Sequence, residues 1–325
     1  MPLPLGLAEG DKFAILAIKN IGTEALGSQV LPDSTSVAPG LPVDIIDEFW
    51  QQSLGTIAIQ DLRRCNLLLL RRAPSENPRL LDAEHEALAM RTLEVFWLLQ
   101  LSGVPYYEGA VILKGSVVDG RIEVRAHDNL SGHQFVASNG APNARITGDG
   151  LRRAAESAEV WRGMLANPGD HARIKRGLNV LLEGLQEHFG QERLHAFVRA
   201  LEALILPRIG ETRRQFAARC QTFAVAAVAS QACLEDCFDM RSVVEHMNDS
   251  TTCLSAYPVD EREVIALRRV RQIEALARFA YERLLSTPDL RRHFTSDATI
   301  ADFWRLPSEQ RQPLWGSQFD INAVA

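Results

Sequence analysis

The stretch Asp239-Met240-Arg241-Ser242-Val243-Val244-Glu245-His246 sets an arginine and a histidine five residues apart in a segment with no Gly or Pro and helical neighbours on both sides. Arginine carries a fixed charge on a planar donor fork that suits phosphate. Histidine moves protons near neutral pH. The pair can cleave an RNA phosphodiester without a metal. Five helical steps of about 100° leave the two side chains about 140° apart, off a shared face. Either the helix ends before His246 and its ring swings back, or two copies of the element meet across a two-fold axis. The run Met247-Asn248-Asp249-Ser250-Thr251-Thr252 reads as a helix exit.

Around this element the pattern is helical from Asp149 almost to the end. Leu151 to Ala166 is amphipathic, with Val160, Trp161 and Leu165 as core candidates, and Pro168-Gly169-Asp170 breaks it. Five helices follow: His171 to Phe189, ended by Gly190; Gln191 to Leu206, stopped by Pro207; Glu211 to Gln231; Leu234 to about Met247; and about Val259 to Leu285. The tail from Thr295, with Trp304 and Trp315, reads as short helices or loops packed on this bundle.

The first 150 residues are mixed. Phe13 to Ile18, Thr56 to Ile59 and Asn66 to Leu70 read as strands, Ile21 to Pro42 as loop, and Asp44 to Leu54 as a short helix. Asp82 is positioned to cap a helix running to Leu101, with Leu88, Met90, Leu93, Val95, Phe96, Leu98 and Leu99 at the helical spacing of a core face. Asp119-Gly120 between Ala110–Val118 and Arg121–Arg125 is a hairpin signal. The expected class is therefore α+β: a mixed α/β domain over 1–150, a helical domain over 151–287 with its core at 171–287, and a C-terminal tail over 288–325.

Three segments, Ala200-Leu201-Glu202-Ala203-Leu204-Ile205-Leu206-Pro207, Arg213 to Cys220, and Cys237 to His246, occur in that order. Together they resemble a HEPN domain of the Apea-like type over about residues 171 to 287. The resemblance implies an all-α bundle that dimerises. It also implies an R-x4-6-H motif that forms a metal-independent endoribonuclease in active members, which serve in phage defence, toxin–antitoxin pairs or RNA processing. The N-terminal domain then takes the place of the variable domain that precedes HEPN, as a sensor. Met247 stands where the family usually has glycine.

On this reading His246 is the general base and Arg241 the stabiliser of the phosphorane-like charge. Glu202, Ser242 and Glu245 are supporting residues. The expected partners are single-stranded RNA, a second copy of the chain, and an antitoxin or defence protein. No metal or cofactor is expected. The competing expectation is a non-catalytic bundle that dimerises or binds nucleotide or RNA.

Net charge is −6, so an RNA site has to be a local basic patch. All but four of the 35 basic residues are arginine, which a GC-rich genome accounts for as well as phosphate binding does. Arg219, Arg268 and Arg271 are the candidate RNA-backbone contacts. On the last helix, however, Glu261, Glu263, Glu274 and Glu282 alternate with the arginines, as on a solvated face. The five cysteines read as reduced thiols, with Cys233 and Cys237 packed in the core. His127, Asp128 and His133 have the donor types that begin a metal site, but spacing places no further strong ligand, and they read as a polar loop. No apolar run reaches the roughly 18 residues of a membrane span, and no basic leader precedes one, so the expected setting is the cytoplasm.

Overall fold

The computed structural model describes residues 3–42, 45–103, 107–131, 145–187, 189–246 and 248–324. It is mixed α+β, and among the described residues it has one six-stranded antiparallel sheet and eleven α-helices. The chain divides into two compact units. The first ends at Glu159 and the second continues from Val160, inside a single helix.

In the first unit the strands are β1 (Asp11–Lys19), β2 (Gln29–Val30), β3 (Ser36–Ala38), β4 (Cys65–Pro74), β5 (Gly109–Val118) and β6 (Arg121–Ser131), in the order β2-β3-β4-β1-β5-β6. β1 is central and buried along nearly its whole length, which is why it reads as a continuous apolar run and not as an alternation. Phe13, Ile15 and Ala17 share one core with Leu68, Leu70, Val111 and Leu113, and with Trp50, Ile59 and Leu62 of α1 (Glu48–Arg63). The Trp50 indole donates to Ile122 O over 2.8 Å. On α2 (Ala83–Leu99), Asp82 is the N-cap and its carboxylate also pairs with buried Lys12 of β1. Asp119 and Gly120 both adopt positive φ, +54° and +73°. That backbone matches a two-residue hairpin turn whose twist suits the strands.

Three expectations are corrected here. Thr56 to Ile59 is helical: α1 breaks at Gly55 (φ +77°) and restarts, so that Ile59 and Leu62 fall on one buried face. Of its β-branched residues Ile59 is buried while Thr56 and Ile57 face solvent, so their composition marked neither a strand nor a packed face. Ile21 to Pro42 is not all loop, because β2 and β3 extend the sheet through β4. Met90 of α2 faces outward.

The second unit takes the C-terminal part of α3 (Gly148–Leu165), where Trp161 and Met164 are buried while Leu165 is exposed, contrary to its core assignment. There follow α4 (Ala172–Gln186), α5 (Gly190–Ile205), α6 (Thr212–Cys220), α7 (Val228–Glu245), α8 (Arg262–Ser286), α9 (Pro288–Arg292), α10 (Asp297–Arg305) and α11 (Ser308–Trp315). α5 is the hub, packed on α4, α6, α7 and α8. Gly190 opens α5 and does not close α4, which ends at Gln186.

The helix expected over Glu211 to Gln231 is two helices. Between them Val225 N–H donates to Phe319 O, and the Gln318 amide donates to Gln221 O and Ala224 O. Phe223 packs against Trp315 with ring centroids 4.3 Å apart. The tail thus supplies the backbone partners that a continuous helix would have supplied itself. Among the described residues no helix is long and apolar enough to cross a membrane.

Candidate functional site

α5 and α7 lie side by side and antiparallel. Glu202, late in α5, meets Arg241 of α7, while the start of α5 shares a cavity with Asp249 to Thr251, beyond the end of α7. Arg241 Nη2 donates to Glu202 Oε2 over 3.2 Å and Nη1 donates to Glu245 Oε2 over 2.7 Å. Its guanidinium also lies 5.8 Å from the Phe238 ring centroid. The Arg241 and Glu202 side chains are each 16% exposed, against 36% for Glu245. The inner contact is therefore semi-buried and the outer one is an i,i+4 surface pair. A pair of that kind contributes only about 0.3–0.5 kcal/mol, so an incoming anion can replace it at little cost.

The last residue of α7 is Glu245. His246 is its C-cap, at φ −96° and ψ 16°, with its N–H on the Val243 and Val244 carbonyls. The helix therefore ends before the histidine, and the side chain is exposed. Met247 lies outside the described residues. Ser242 is half-buried beside Arg241 in sequence. Among the described residues no hydrogen bond joins His246 to Arg241.

Periodicity does not single out His195. It belongs to a polar stripe of α5, Glu192, His195, Arg199 and Glu202, that follows helical spacing behind the apolar face. His195 is half-buried, and both Arg241 and Glu245 act on it electrostatically. Burial first, and the Arg241 charge second, hold its pKa below the usual histidine range, which favours neutral imidazole. Burial pushes the Glu202 carboxyl up despite the opposing pull of Arg241. The only signal in the sequence was the seven-residue spacing from His195 to Glu202, two helical turns on one stripe.

The other expected RNA contacts are engaged elsewhere. Arg219 donates to the Ile205 and Leu206 carbonyls, closing the end of α5, with its guanidinium 5.3 Å from the Trp304 ring. Arg268 donates to Val324 O and Asn322 O, each over 3.2 Å. Arg271 is half-buried on α8. Nor is α8 a plain solvated face. Arg278 pairs with buried Glu274, which also takes Arg193 of α5, and Arg269 joins Asp236 and Tyr257 in one network. Cys233 and Cys237 are fully buried in this unit, and the five cysteines are free thiols.

In the first unit His127 and Asp128 lie on β6 and not in a loop, Asp128 pairs with Lys114 over 2.9 Å, and His133 lies outside the described residues. Among the described residues no group of three or more His, Cys, Asp or Glu side chains is placed to hold a metal ion. Comparison with protein families, with curated proteins and with solved structures finds no match to this chain.

Proposed function

We propose that the helical unit is of the HEPN type and that its α5–α7 seam is a metal-independent endoribonuclease site. The observation that carries this reading is the two-sided hold on Arg241. Glu202 holds one terminal nitrogen of the guanidinium, while the other pairs with the exchangeable Glu245, one residue before exposed His246. A phosphate of single-stranded RNA displaces Glu245 and takes the charge-assisted hydrogen bonds of Arg241. His246 removes the ribose 2′-proton and the 2′-oxygen attacks phosphorus. Arg241 offsets the charge that builds on the phosphoryl oxygens. The P–O5′ bond breaks and the 5′-oxygen takes a proton from solvent, leaving a 2′,3′-cyclic phosphate and a 5′-hydroxyl. DNA, lacking the 2′-hydroxyl, is spared. A two-fold dimer brings two such elements to one cleft, and phage defence or a toxin–antitoxin pair is the setting that the resemblance suggests.

The test is cleavage of end-labelled single-stranded RNA by the purified chain. Cleavage leaving cyclic phosphate ends, lost in His246→Ala at unchanged oligomeric mass, is the expected result. Equal cleavage by that variant rules the mechanism out.

A second reading has its own support. Glu192, Glu202 and Glu245 outnumber Arg199 and Arg241 around the seam, and an anionic excess opposes phosphate. A bundle that only dimerises or holds a nucleotide or RNA would show binding or assembly with no cleavage by the wild-type chain.

A further inference from the structure

The exposed side of α8 is sorted by charge. Over its first turns Val264 and Leu267 are 68% and 56% exposed, while Ala266, Val270 and Ile273 are turned into the core. Glu263 stands exposed before this apolar pair, and Asp260 before that, in the turn that leads into α8. Exposed Arg268 and half-buried Arg271 follow the pair. At about 100° per residue the five positions on α8 share one stripe about 140° wide. The stripe therefore runs from acid through aliphatic to base.

Such an order is self-complementary under a two-fold axis. Let two copies of α8 lie antiparallel with Val264 opposite Leu267 of the second copy. Glu263 then falls opposite Arg268 of the second copy, and Asp260 opposite Arg271, because all three pairs are spaced symmetrically about one point between residues 265 and 266. The axis repeats each contact, so an aliphatic centre is flanked on both sides by opposite charges. A parallel pairing in register sets Glu263 against Glu263 and Arg268 against Arg268, which like-charge repulsion opposes. A different protein would need the same order reversed, which this chain already carries. Arg268 is held for the contact: Nε and Nη2 donate to Val324 O and Asn322 O, which fixes the side chain and leaves Nη1. An ordered side chain loses less entropy on association.

We propose that this stripe is an isologous interface, across which a second copy of the chain lays its own α8 antiparallel. Met240, one residue before Arg241, lines one cavity with Leu267 and Val270, so the interface adjoins the helix of the candidate site. It names a contact for the two-fold dimer of the ribonuclease reading, but stands on the helix face alone and not on cleavage. A few turns of helix are small against the roughly 800 Å² per partner of a standard interface, so the dimer dissociates on dilution.

Sedimentation velocity of the full chain over a concentration series tests this. A monomer–dimer equilibrium is expected. Leu267→Glu and Glu263→Arg should each weaken it at least about tenfold, because like charges then meet across the axis or an acid enters its apolar centre. Glu263→Arg combined with Arg268→Glu restores the opposite pairs and should bring the affinity back toward wild type. Should Leu267→Glu fail to fold by circular dichroism, the charge exchange decides. A monomer at every concentration, a dimer that Glu263→Arg leaves intact, or a double exchange no tighter than Glu263→Arg alone overturns the assignment. RNA cleavage is scored on the same samples. A dimer of this kind without cleavage keeps the interface and removes the nuclease, whereas cleavage by a chain that stays monomeric removes the interface and keeps the nuclease.

Discussion

Arg241 of α7 donates to Glu202 of α5 over 3.2 Å, and each side chain is 16% exposed. The bond joins the two helices that build the candidate site, yet the Glu202 pKa is raised. Burial therefore costs this carboxylate more than the arginine returns. The pair holds geometry more than it adds stability, as semi-buried ion pairs commonly do.

Arg241→Ala should accordingly cost more than Glu202→Gln. The first strands a half-buried carboxylate, at about 1–3 kcal/mol. The second keeps an acceptor and removes the charge, and should change stability by less than about 1 kcal/mol. The sign with pH follows from the raised pKa. The Glu202 contribution is fully present below the ordinary value of about 4.3 and is lost as pH rises through the raised one. Urea melts between pH 4 and 8 should show the Arg241→Ala penalty growing with pH. A penalty that is flat with pH would contradict this.

His195 works in the opposite sense. Its folded pKa lies below the ordinary value of about 6.5, so the unfolded chain binds the proton more readily. Stability then falls as pH drops below about 6.5 toward the lowered value, and is unaffected above it. The charges that face the ring are Glu192 and Arg199 from α5, and Arg241 and Glu245 from α7. His85 and His171 shift the same way, so His195→Gln should flatten only part of the acid limb of a stability–pH curve. A variant curve parallel to wild type from pH 7 to 5 would show that the ring is not desolvated as described.

What was legible in the sequence was what is encoded locally. The Asp119-Gly120 turn, the Asp82 cap and the β1 run depend on neighbours a few residues away. What was not legible was set from a distance. The gap between α6 and α7 is held open by Gln318 and Phe319, nearly a hundred residues downstream, and β3 exists because β4 offers it an edge. The same division runs through the site. Arg241, His246 and Glu202 stand out by residue type and spacing, but the bond between Arg241 and Glu202 depends on the packing of α5 on α7. His195 was hidden because polar positions on an amphipathic helix have no pattern that separates a site from a solvated face.

Glu274 tests whether the helical core depends on a buried charge. It is fully buried on α8 and accepts from Arg193 of α5 and from Arg278 one turn on. Glu274→Ala leaves two guanidinium groups in the interior without that anion, and should cost about 3–5 kcal/mol. Replacing Arg193, Glu274 and Arg278 together with Met, Leu and Met removes the buried charges with their desolvation cost, and should recover most of the loss. Thermal unfolding of the single and triple variants checks both. A triple variant no more stable than Glu274→Ala would mean that the network supplies net stability.

Gly177 of α4 reads the packing most directly. A Cβ built there would stand 1.7 Å from Tyr281 Oη of α8 and 2.8 Å from Ala203 Cβ of α5. Tyr281 has no room to yield, because it is fully buried and donates to Ala200 O over 2.8 Å. Alanine is the better helix former by about 1 kcal/mol, but overpacking costs about 1–3 kcal/mol, so Gly177→Ala should be destabilising on balance. Tyr281→Phe deletes the nearest of the atoms in conflict. In a double-mutant cycle the two changes should therefore couple, with Gly177→Ala costing at least about 0.5 kcal/mol less when Tyr281→Phe is already in place. Additive effects in urea unfolding would show that α4 and α8 do not meet at these two residues.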